Sequence, residues 1–423
     1  MDIKTFKAFQ SLNYRLYFSG QSISLIGTWM QRTAIYWLIY SQTHSAFMLG
    51  LAVFATQFPS FVFSPLGGVV SDNYNRYRAL LITQCASLVQ ATILAILVMC
   101  TKYSVGEIFA CTVVLGTINA FDVPARQSMI NEMVDHKEYL PNAIALNSSM
   151  ANLARLIGPA ISGIVLEKLG AGTCFLINAI SFLAVIASIL LMRFPKYLPH
   201  HKSKKIIHEF KEGLKYLKKT PSIGLVILML GCVSLLVLPF VTLLPVYAKV
   251  IFKGNAATFG FLNSAIGLGA IGGAIFLASL KRGTELKRIL FINLFIFGAG
   301  LMLFSHMTNL PVALLFAMVT GFGMMSQTTI SNTIIQTNVS GAMRGRVISF
   351  FAMAYFGMQP LGGLLVGSIS QYIGTPDTIL AEGIAAAVIG ILFMSFLKKD
   401  ILKEKDRIKL VELEDATANI LNK

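Results

Sequence analysis

The sequence predicts an all-α membrane protein whose twelve transmembrane helices form two six-helix halves. Three observations predict this class: a composition that is 55% hydrophobic and only 13% charged, a series of long apolar segments, and a repeat that relates the two halves of the chain. Soluble domains carry about 25% charged residues. These side chains therefore could not cover a water-facing surface of ordinary size.

The apolar segments are long enough to cross a bilayer, which takes about 20 residues of α-helix. Short polar stretches separate them. The first stretch, Met1–Leu16, is polar and mildly basic and is followed by no small-residue cleavage site, so we expect no cleaved signal peptide. The predicted spans are residues 14–40, 46–70, 79–101, 105–124, 143–167, 172–194, 222–248, 257–280, 288–306, 311–335, 346–371 and 377–397.

Lys and Arg residues are distributed unevenly among the predicted loops, and the chain has a formal net charge of +16. The loops after even-numbered spans and both ends of the chain are basic. The opposite loops hold only Lys102, Lys168, Lys249 and Lys253. By the positive-inside rule, the basic loops and both termini are predicted to be cytoplasmic. The charge therefore reflects topology, and we do not expect nucleic-acid binding.

The two halves repeat with an offset of about 205 residues. Matched positions include Gly67-Gly68 with Gly272-Gly273, Gly163 with Gly367, Gly170 with Gly374, and Asn178 with Glu382. Parallel six-helix repeats place a substrate site between the halves. The predicted domains are an N-terminal bundle at 1–194, a cytoplasmic linker at 195–221, a C-terminal bundle at 222–397 and a cytoplasmic tail at 398–423.

The linker has an amphipathic pattern. Its apolar residues share one helical face opposite many lysines, and they are Ile206, Ile207, Phe210, Leu214 and Leu217. This pattern predicts either a helix at the cytoplasmic membrane interface or a simple tether.

Motifs of enzymes and metal sites are not evident in the sequence. It holds no GxxxxGK[ST] phosphate-binding loop, no catalytic triad and no metal cluster. The five cysteines lie in or beside apolar segments without CxxC spacing. We expect a protein that is not an enzyme and needs no cofactor and no metal.

The loop after span two reads Gly67-Gly68-Val-Val-Ser-Asp72-Asn73-Tyr74-Asn75-Arg76-Tyr77-Arg78. Glycines allow helices to approach closely, and the acid and arginines can pair across helix ends, so the motif predicts a breakable latch. It resembles the loop 2–3 signature of the major facilitator superfamily, although Asn73 stands where a basic residue is common. Ordinary positive-inside charges are the alternative. The residues expected to act in gating are Gly68, Asp72, Arg76, Arg78, Asp122, Arg126, Arg344 and Arg346.

Span five contains a second motif, which begins at Arg155 and continues through Gly158, Pro159 and Gly163. It resembles the antiporter motif of the drug-exporting members. Further stretches are similar to the macrolide-efflux and enterobactin-exporter-like branch, and the resemblance covers residues 10 to 397. They are Gly27-Thr28-Trp29-Met30-Gln31, Asp122-Val-Pro124-Ala-Arg126-Gln127, Pro141-Asn142-Ala-Ile-Ala-Leu-Asn147-Ser148 and Arg344-Gly345-Arg346-Val347. Thr28 stands where some members carry an acid.

The resemblance implies that spans one, four, seven and ten line a central cavity. Polar residues on those spans are the expected substrate contacts: Gln21, Thr28, Gln31, Arg32, Asn119, Gln327 and Asn332. Each amide has the alternative role of linking helices, and Arg32 has the alternative of extending to the membrane interface. Abundant Phe, Met and Tyr suit an amphipathic cargo such as a drug, siderophore or lysolipid.

The resemblance also implies proton-driven export by alternating access, in a monomer of the bacterial inner membrane that has lipid as its surroundings. The carboxylates considered for carrying the proton are Asp72, Glu107, Asp122 and Glu382. Alternatives are a lipid flippase or importer on the same scaffold, and a membrane receptor or enzyme.

Overall fold

The computed structural model describes residues 4–194, 206–280 and 285–394, and the regular elements in these ranges are all helical. The predicted tail at 398–423 and the loop residues Lys281 and Arg282 lie outside the described residues. The helices are α1 Leu12–Thr43, α2 Ala46–Asn73, α3 Arg76–Cys100, α4 Val105–Met133, α5 Leu140–Leu169, α6 Ala171–Leu191, α7 Ile206–Lys219, α8 Pro221–Leu236, α9 Leu244–Val246, α10 Ala256–Ala278, α11 Leu286–Ser305, α12 Leu310–Asn338, α13 Gly341–Ala352, α14 Met358–Ile373 and α15 Thr375–Met394.

Eleven segments of the described chain are long and apolar enough to cross a membrane. This confirms a polytopic helical membrane protein. The predicted first span, α1, is a helix of 32 residues but is not among the eleven. Polar side chains such as Gln21, Gln31 and Arg32 lower its hydropathy, so length and composition alone do not establish a twelfth span.

The predicted end of span four at residue 124 is wrong, because α4 continues to Met133. Pro124 lies inside α4, although proline lacks a backbone N–H. The Ser71 hydroxyl lies 3.4 Å from the Pro124 carbonyl and within 3.2 Å of Ser128, so α2 packs along this part of α4. Asp122 and Arg126 therefore stand one turn apart on a helix, and they do not lie in a loop.

Two predicted spans are irregular where prolines or tightly packed glycines interrupt them. After α8, a 3-10 segment at Leu238–Leu243 and a π-helical segment at Tyr247–Ile251 flank α9, and Pro239 and Pro245 lie in this stretch. Between α13 and α14 the chain forms a π-helical segment at Met353–Gly357. Such segments locally change the direction in which side chains point.

The helices form two groups, which we call the first bundle (α1–α6) and the second bundle (α8–α15), and these groups also contact each other where α5 packs on α10 and α2 on α14. In the first bundle α1 packs against α5 and α6, α2 against α4, and α3 against α4 and α6. In the second, α12 packs against α10 and α11, and α14 packs against α8. The largest apolar core belongs to the second bundle and also takes in Tyr40, Ala46 and Leu49 of the first.

The predicted repeat has a counterpart in local backbone geometry. Gly170 and Gly374, which the repeat matches, end α5 and α14 with φ angles of +82° and +87°. L-amino acids with side chains rarely adopt this conformation, whereas glycine adopts it freely. Each turn leads directly into the next helix, so equivalent hairpins occur in the two bundles.

The linker helix α7 is present and docks on the second bundle. Its Phe210 ring lies 4.9 Å from the Phe350 ring of α13, and Glu212 forms an ion pair of 2.9 Å with Arg346. Leu217 packs against the core of the second bundle. The remainder of the predicted linker, 195–205, lies outside the described residues.

Candidate functional site

The two bundles meet through glycines. An added Cβ atom on Gly163 of α5 would lie 2.9 Å from the Ala256 carbonyl and 3.2 Å from the Cα atom of Gly260 on α10. An added Cβ on Gly367 of α14 would lie 2.6 Å from the Ala46 carbonyl of α2. Because Gly163 and Gly367 are matched by the repeat, the boundary is built from two equivalent helix crossings. Such close crossings require residues without side chains.

Other contacts join the two bundles at the same end of the molecule. This end carries the α1–α2 and α5–α6 turns, and we call it the closed end. The Gln371 amide donates to the Ser45 hydroxyl at 2.7 Å, and the Trp37 ring stacks on Phe259 with centroids 6.1 Å apart. Contacts between α5 and α10 continue to mid-helix, where the Ser264 hydroxyl donates to the Leu156 carbonyl at 3.1 Å. The bundles are thus joined from the closed end to the middle of their helices.

Two arginines share one indole ring at mid-depth. The Arg32 guanidinium carbon lies 4.8 Å from the Trp29 ring centroid, and that of Arg155 lies 5.3 Å from the same centroid. The guanidinium carbons are therefore at most about 10 Å apart, a separation at which two positive charges repel by roughly 1.5–2 kcal/mol at an effective dielectric constant of about 20. The structure thus brings together the two arginines that the sequence singled out.

This arrangement follows from how α1 packs on α5. Ser162 donates to the Met30 carbonyl at 3.1 Å, and an added Cβ on Gly158 would lie 2.5 Å from Trp29 Cβ. Gly158 therefore lets the indole approach the α5 backbone. Arg155 lies one turn earlier on the same helix, which places its side chain over the ring.

Arg32 faces the boundary between the bundles. It shares a helical face with Tyr36 and Tyr40, one and two turns further along α1, and both tyrosines pack against the core of the second bundle. With a rise of about 1.5 Å per residue, Arg32 lies about 17 Å from the end of α1 and Arg155 about 21 Å from the end of α5. These distances place both charges near the middle of their helices, where the Arg32 guanidinium lies over Trp29.

Gln31 lies on a different face of α1 and points into the first bundle. It is fully buried, its amide donates to Gln90 of α3 at 3.1 Å, and its oxygen accepts from Asn178 of α6 at 2.8 Å. Gln90 in turn donates to the Cys111 carbonyl of α4 at 3.1 Å. In this conformation Gln31 links helices. These two expected substrate contacts on α1 therefore diverge, because Gln31 and Arg32 point about 100° apart.

The other expected substrate contacts are dispersed. Thr28 donates to the Ser24 carbonyl on its own helix, and Asn332 accepts from Gln336 at 3.1 Å. Gln21 is buried with an amide oxygen that has no hydrogen-bond partner, and Gln327 is fully buried with both amide atoms unpartnered. Asn119 is half-buried on α4. Of this set, the structure brings only Arg32 next to another functional candidate within the described residues.

Among the described residues, the gating candidates form three separate ion pairs, one of which is the pair of Arg346 with Glu212 described above. Asp122 is 5% exposed and pairs with Arg126 at 3.1 Å, while Thr83 and Gln84 of α3 donate to the same carboxylate at 3.0 and 2.7 Å. Arg76 pairs with Glu132 near the end of α4 at 2.7 Å. Glu132 was not predicted as a partner of Arg76, because the predicted span four ended at residue 124.

The remaining latch residues are near the surface. An added Cβ on Gly68 would meet open space, whereas one on Gly67 would overlap the Ala120 carbonyl of α4, so Gly67 is the glycine that allows close packing. Arg78 and Arg344 are exposed. Asp72 lies in α2, and its side chain lies outside the described part of the structure.

The remaining proton-coupling candidates differ sharply in environment. Glu107 is exposed and caps α4, where it accepts from the Ser104 backbone N–H at 2.7 Å. Glu382 is 3% exposed, lies about two turns inside α15, and neither carboxyl oxygen has a hydrogen-bond partner among the described residues.

Trp29 contacts both arginines, and the motif in which it stands did not predict this contact. Its signal was its rarity, since the chain has only two tryptophans, and its position three residues before Arg32. Gln90 gave a weaker signal as an isolated amide in an apolar helix.

The chain resembles transporters in sequence and in structure. The model of the transmembrane secretion effector family matches residues 3–419. The chain is 27% identical over 403 residues to the Staphyloferrin A transporter of Staphylococcus aureus (strain NCTC 8325 / PS 47), covering 92% of this chain and 97% of that protein. It is 23% identical over 390 residues to Macrolide efflux protein A of Streptococcus pyogenes, covering 90% and 95%.

A solved structure shares the fold. A POT family transporter in complex with 5-aminolevulinic acid superposes with a TM-score of 0.72 at 13% identity, covering 92% of this chain and 96% of that one. At this identity the likeness concerns the fold alone.

Proposed function

This chain belongs to the transmembrane secretion effector family of the major facilitator superfamily, and on that premise we propose that it exports amphipathic small molecules by alternating access. It is a multi-pass membrane transporter and not an enzyme. A full-length family match and a relative named for macrolide efflux support export. In this proposal α1 is the twelfth span and the two bundles are the moving halves.

The observation that carries the mechanism is the glycine-lined boundary at the closed end. Gly163 and Gly367 join the bundles there, and the contacts extend to mid-helix, where Arg32 and Arg155 lie. Rocking the bundles about this boundary would expose the mid-depth site to one side at a time. Basic loops at the other end support cytoplasmic termini, so that the closed end would face away from the cytoplasm in this conformation.

We propose proton antiport as the energy source, with Glu382 as the proton-carrying group. Asp122 is held by Arg126, Thr83 and Gln84, and Glu107 is committed to capping. Glu382, by contrast, is buried without a hydrogen-bond partner in the described chain. An ionised carboxylate in such a place is costly, so exchange of its proton can be linked to a change in conformation.

The test is transport into everted membrane vesicles from cells that produce the chain, with radiolabelled erythromycin as a macrolide probe and radiolabelled fusidate, a carboxylate on an apolar body, as a second drug. We expect accumulation above vesicles lacking the protein when a proton gradient is present, and loss of accumulation when a protonophore collapses it. Accumulation that survives the protonophore would disprove antiport. Equal accumulation with and without the protein for both probes would count against drug export.

A further inference from the structure

We propose that Arg32, Arg155 and Trp29 form an oxyanion-binding site, so that the preferred cargo carries a carboxylate or phosphate group beside an apolar part. This inference rests on the proposed function, because it names the class of substrate that the transport site accepts. The juxtaposition that carries it is two guanidinium groups within 4.8 and 5.3 Å of one indole centroid, on α1 and α5.

The first argument is unbalanced charge. Neither Arg32 nor Arg155 forms an ion pair with any carboxylate of the described residues, whereas Arg76, Arg126 and Arg346 all do. Charged side chains inside membrane helices are costly and normally have a partner. Two unpaired cations at the same depth therefore create a site whose missing component is an anion.

The second argument is unsatisfied hydrogen bonding. The Nε atom of Arg155 is buried and has no hydrogen-bond partner among the described residues. A guanidinium offers a planar set of N–H donors that matches the two oxygens of a carboxylate or of a phosphate. An oxyanion between the arginines would satisfy these donors and reduce the repulsion between the two charges.

The third argument is the shape of the surroundings. Trp29 forms an apolar wall that holds both guanidinium groups, since cations bind over the faces of aromatic rings. Tyr36, one turn from Arg32, has a buried hydroxyl without a partner. The site thus combines charge, an aromatic surface and a further hydrogen-bonding group, which suits an anion attached to an apolar body. It suits a purely cationic drug poorly.

The protein contains its own reporter of this site. Trp29 and Trp37 are the two tryptophans of the chain. In a Trp37→Phe background, whose phenyl ring can still stack on Phe259, the indole emission comes from Trp29 alone. An anion that displaces the guanidinium groups from the ring would change that emission.

The experiment titrates the full chain in lipid nanodiscs at constant ionic strength with citrate, inorganic phosphate and triethyl citrate. We expect a saturable change in Trp29 fluorescence with citrate, phosphate or both, and none with the uncharged ester. The relative responses to citrate and phosphate show whether the natural anion is of the carboxylate or the phosphate type. No saturable response to either anion, or an equal response to the ester, would overturn the proposal.

Variants then locate the response. Arg32→Gln and Arg155→Gln should each weaken anion binding about tenfold or more, because each removes a charge-assisted contact. Arg15→Gln, an exposed arginine on the same helix as Arg32, is the matched control and should bind as the parent does. If Arg155→Gln does not fold, Arg155→Lys keeps the charge without the planar donors and should still bind more weakly. Unchanged binding in Arg32→Gln and the Arg155 variant would overturn the assignment.

The binding assay and the vesicle assay fail independently. Drug accumulation in vesicles, with no anion-dependent change in Trp29 fluorescence, would disprove the oxyanion site and leave the export function intact. Anion binding without accumulation of any probe would support the oxyanion site and count against export as the direction of transport.

Discussion

Gly163 of α5 and Gly260 of α10 face each other across the boundary between the two bundles, and an added Cβ on Gly163 would lie 3.2 Å from the Cα atom of Gly260. The backbones at this crossing leave no room for a side chain. Gly163→Ala should therefore separate the helices, lower stability by about 1–3 kcal/mol and reduce transport. Melting temperature and vesicle accumulation measure the two effects.

A matched control for that substitution is Gly106→Ala at the exposed start of α4, where the nearest atom to an added Cβ is 3.8 Å away. It should change neither measurement. Equal effects of the two alanine variants would show that the crossing is not tightly packed.

The buried pair of Asp122 and Arg126 yields a prediction about stability. Asp122→Asn leaves Arg126 as an uncompensated buried charge and should destabilise the protein by about 3–5 kcal/mol. Glu132→Gln also removes a carboxylate from an arginine, Arg76 of α3, but that pair is partly exposed and the change should cost at most about 1 kcal/mol. Thermal unfolding in detergent compares the two. A larger loss for Glu132→Gln would contradict the assignment of Asp122 to the buried network.

Substitutions of Gln31 and Gln21 distinguish a role in linking helices from a role in binding substrate. Gln31→Ala leaves Gln90 and Asn178 without their partner and should cost about 1–3 kcal/mol of stability, with the KM for transport unchanged. Gln21→Ala removes an amide whose oxygen has no partner and should cost less. A rise in KM without a loss of stability in Gln31→Ala would place Gln31 in the substrate site.

Glu382 gives the prediction on coupling. Glu382→Gln keeps the size of the side chain but cannot exchange a proton, so accumulation driven by a proton gradient should be lost while drug binding is retained. Glu107→Gln is the matched control. It weakens the cap of α4 and should lower the melting temperature slightly with coupling intact. Gradient-driven accumulation in Glu382→Gln would assign the proton to another group.

Local features of this protein could be predicted from its sequence, and long-range relationships could not. The long apolar segments predicted most of the helices, and the repeat identified Gly163, Gly367, Gly170 and Gly374 as matched positions. Arg32 and Arg155 were conspicuous because charges are rare inside apolar segments. That both lie over Trp29 depends on how α1 packs against α5, and a single sequence does not contain that packing.

The errors have the same origin. The predicted end of span four at residue 124 was wrong because a membrane helix can accommodate proline when a neighbouring helix packs on the exposed carbonyls. As a result, Glu132 lay outside the predicted span. Gln31 was grouped with Arg32 by spacing along one helix. Its actual partners are Gln90 and Asn178, which lie 59 and 147 positions away.

The glycine crossings at the closed end consist of backbone contacts and apolar surfaces, while the ion pairs of Arg76 with Glu132 and of Arg346 with Glu212 lie towards the opposite end. Dissolved salt screens exposed ion pairs over a Debye length of about 8 Å at physiological ionic strength but has little effect on close helix packing. The two ends should therefore respond differently to ionic strength. Raising the salt concentration should weaken these two ion pairs, neither of which joins the first bundle to the second, and should leave the glycine crossings between the bundles in contact.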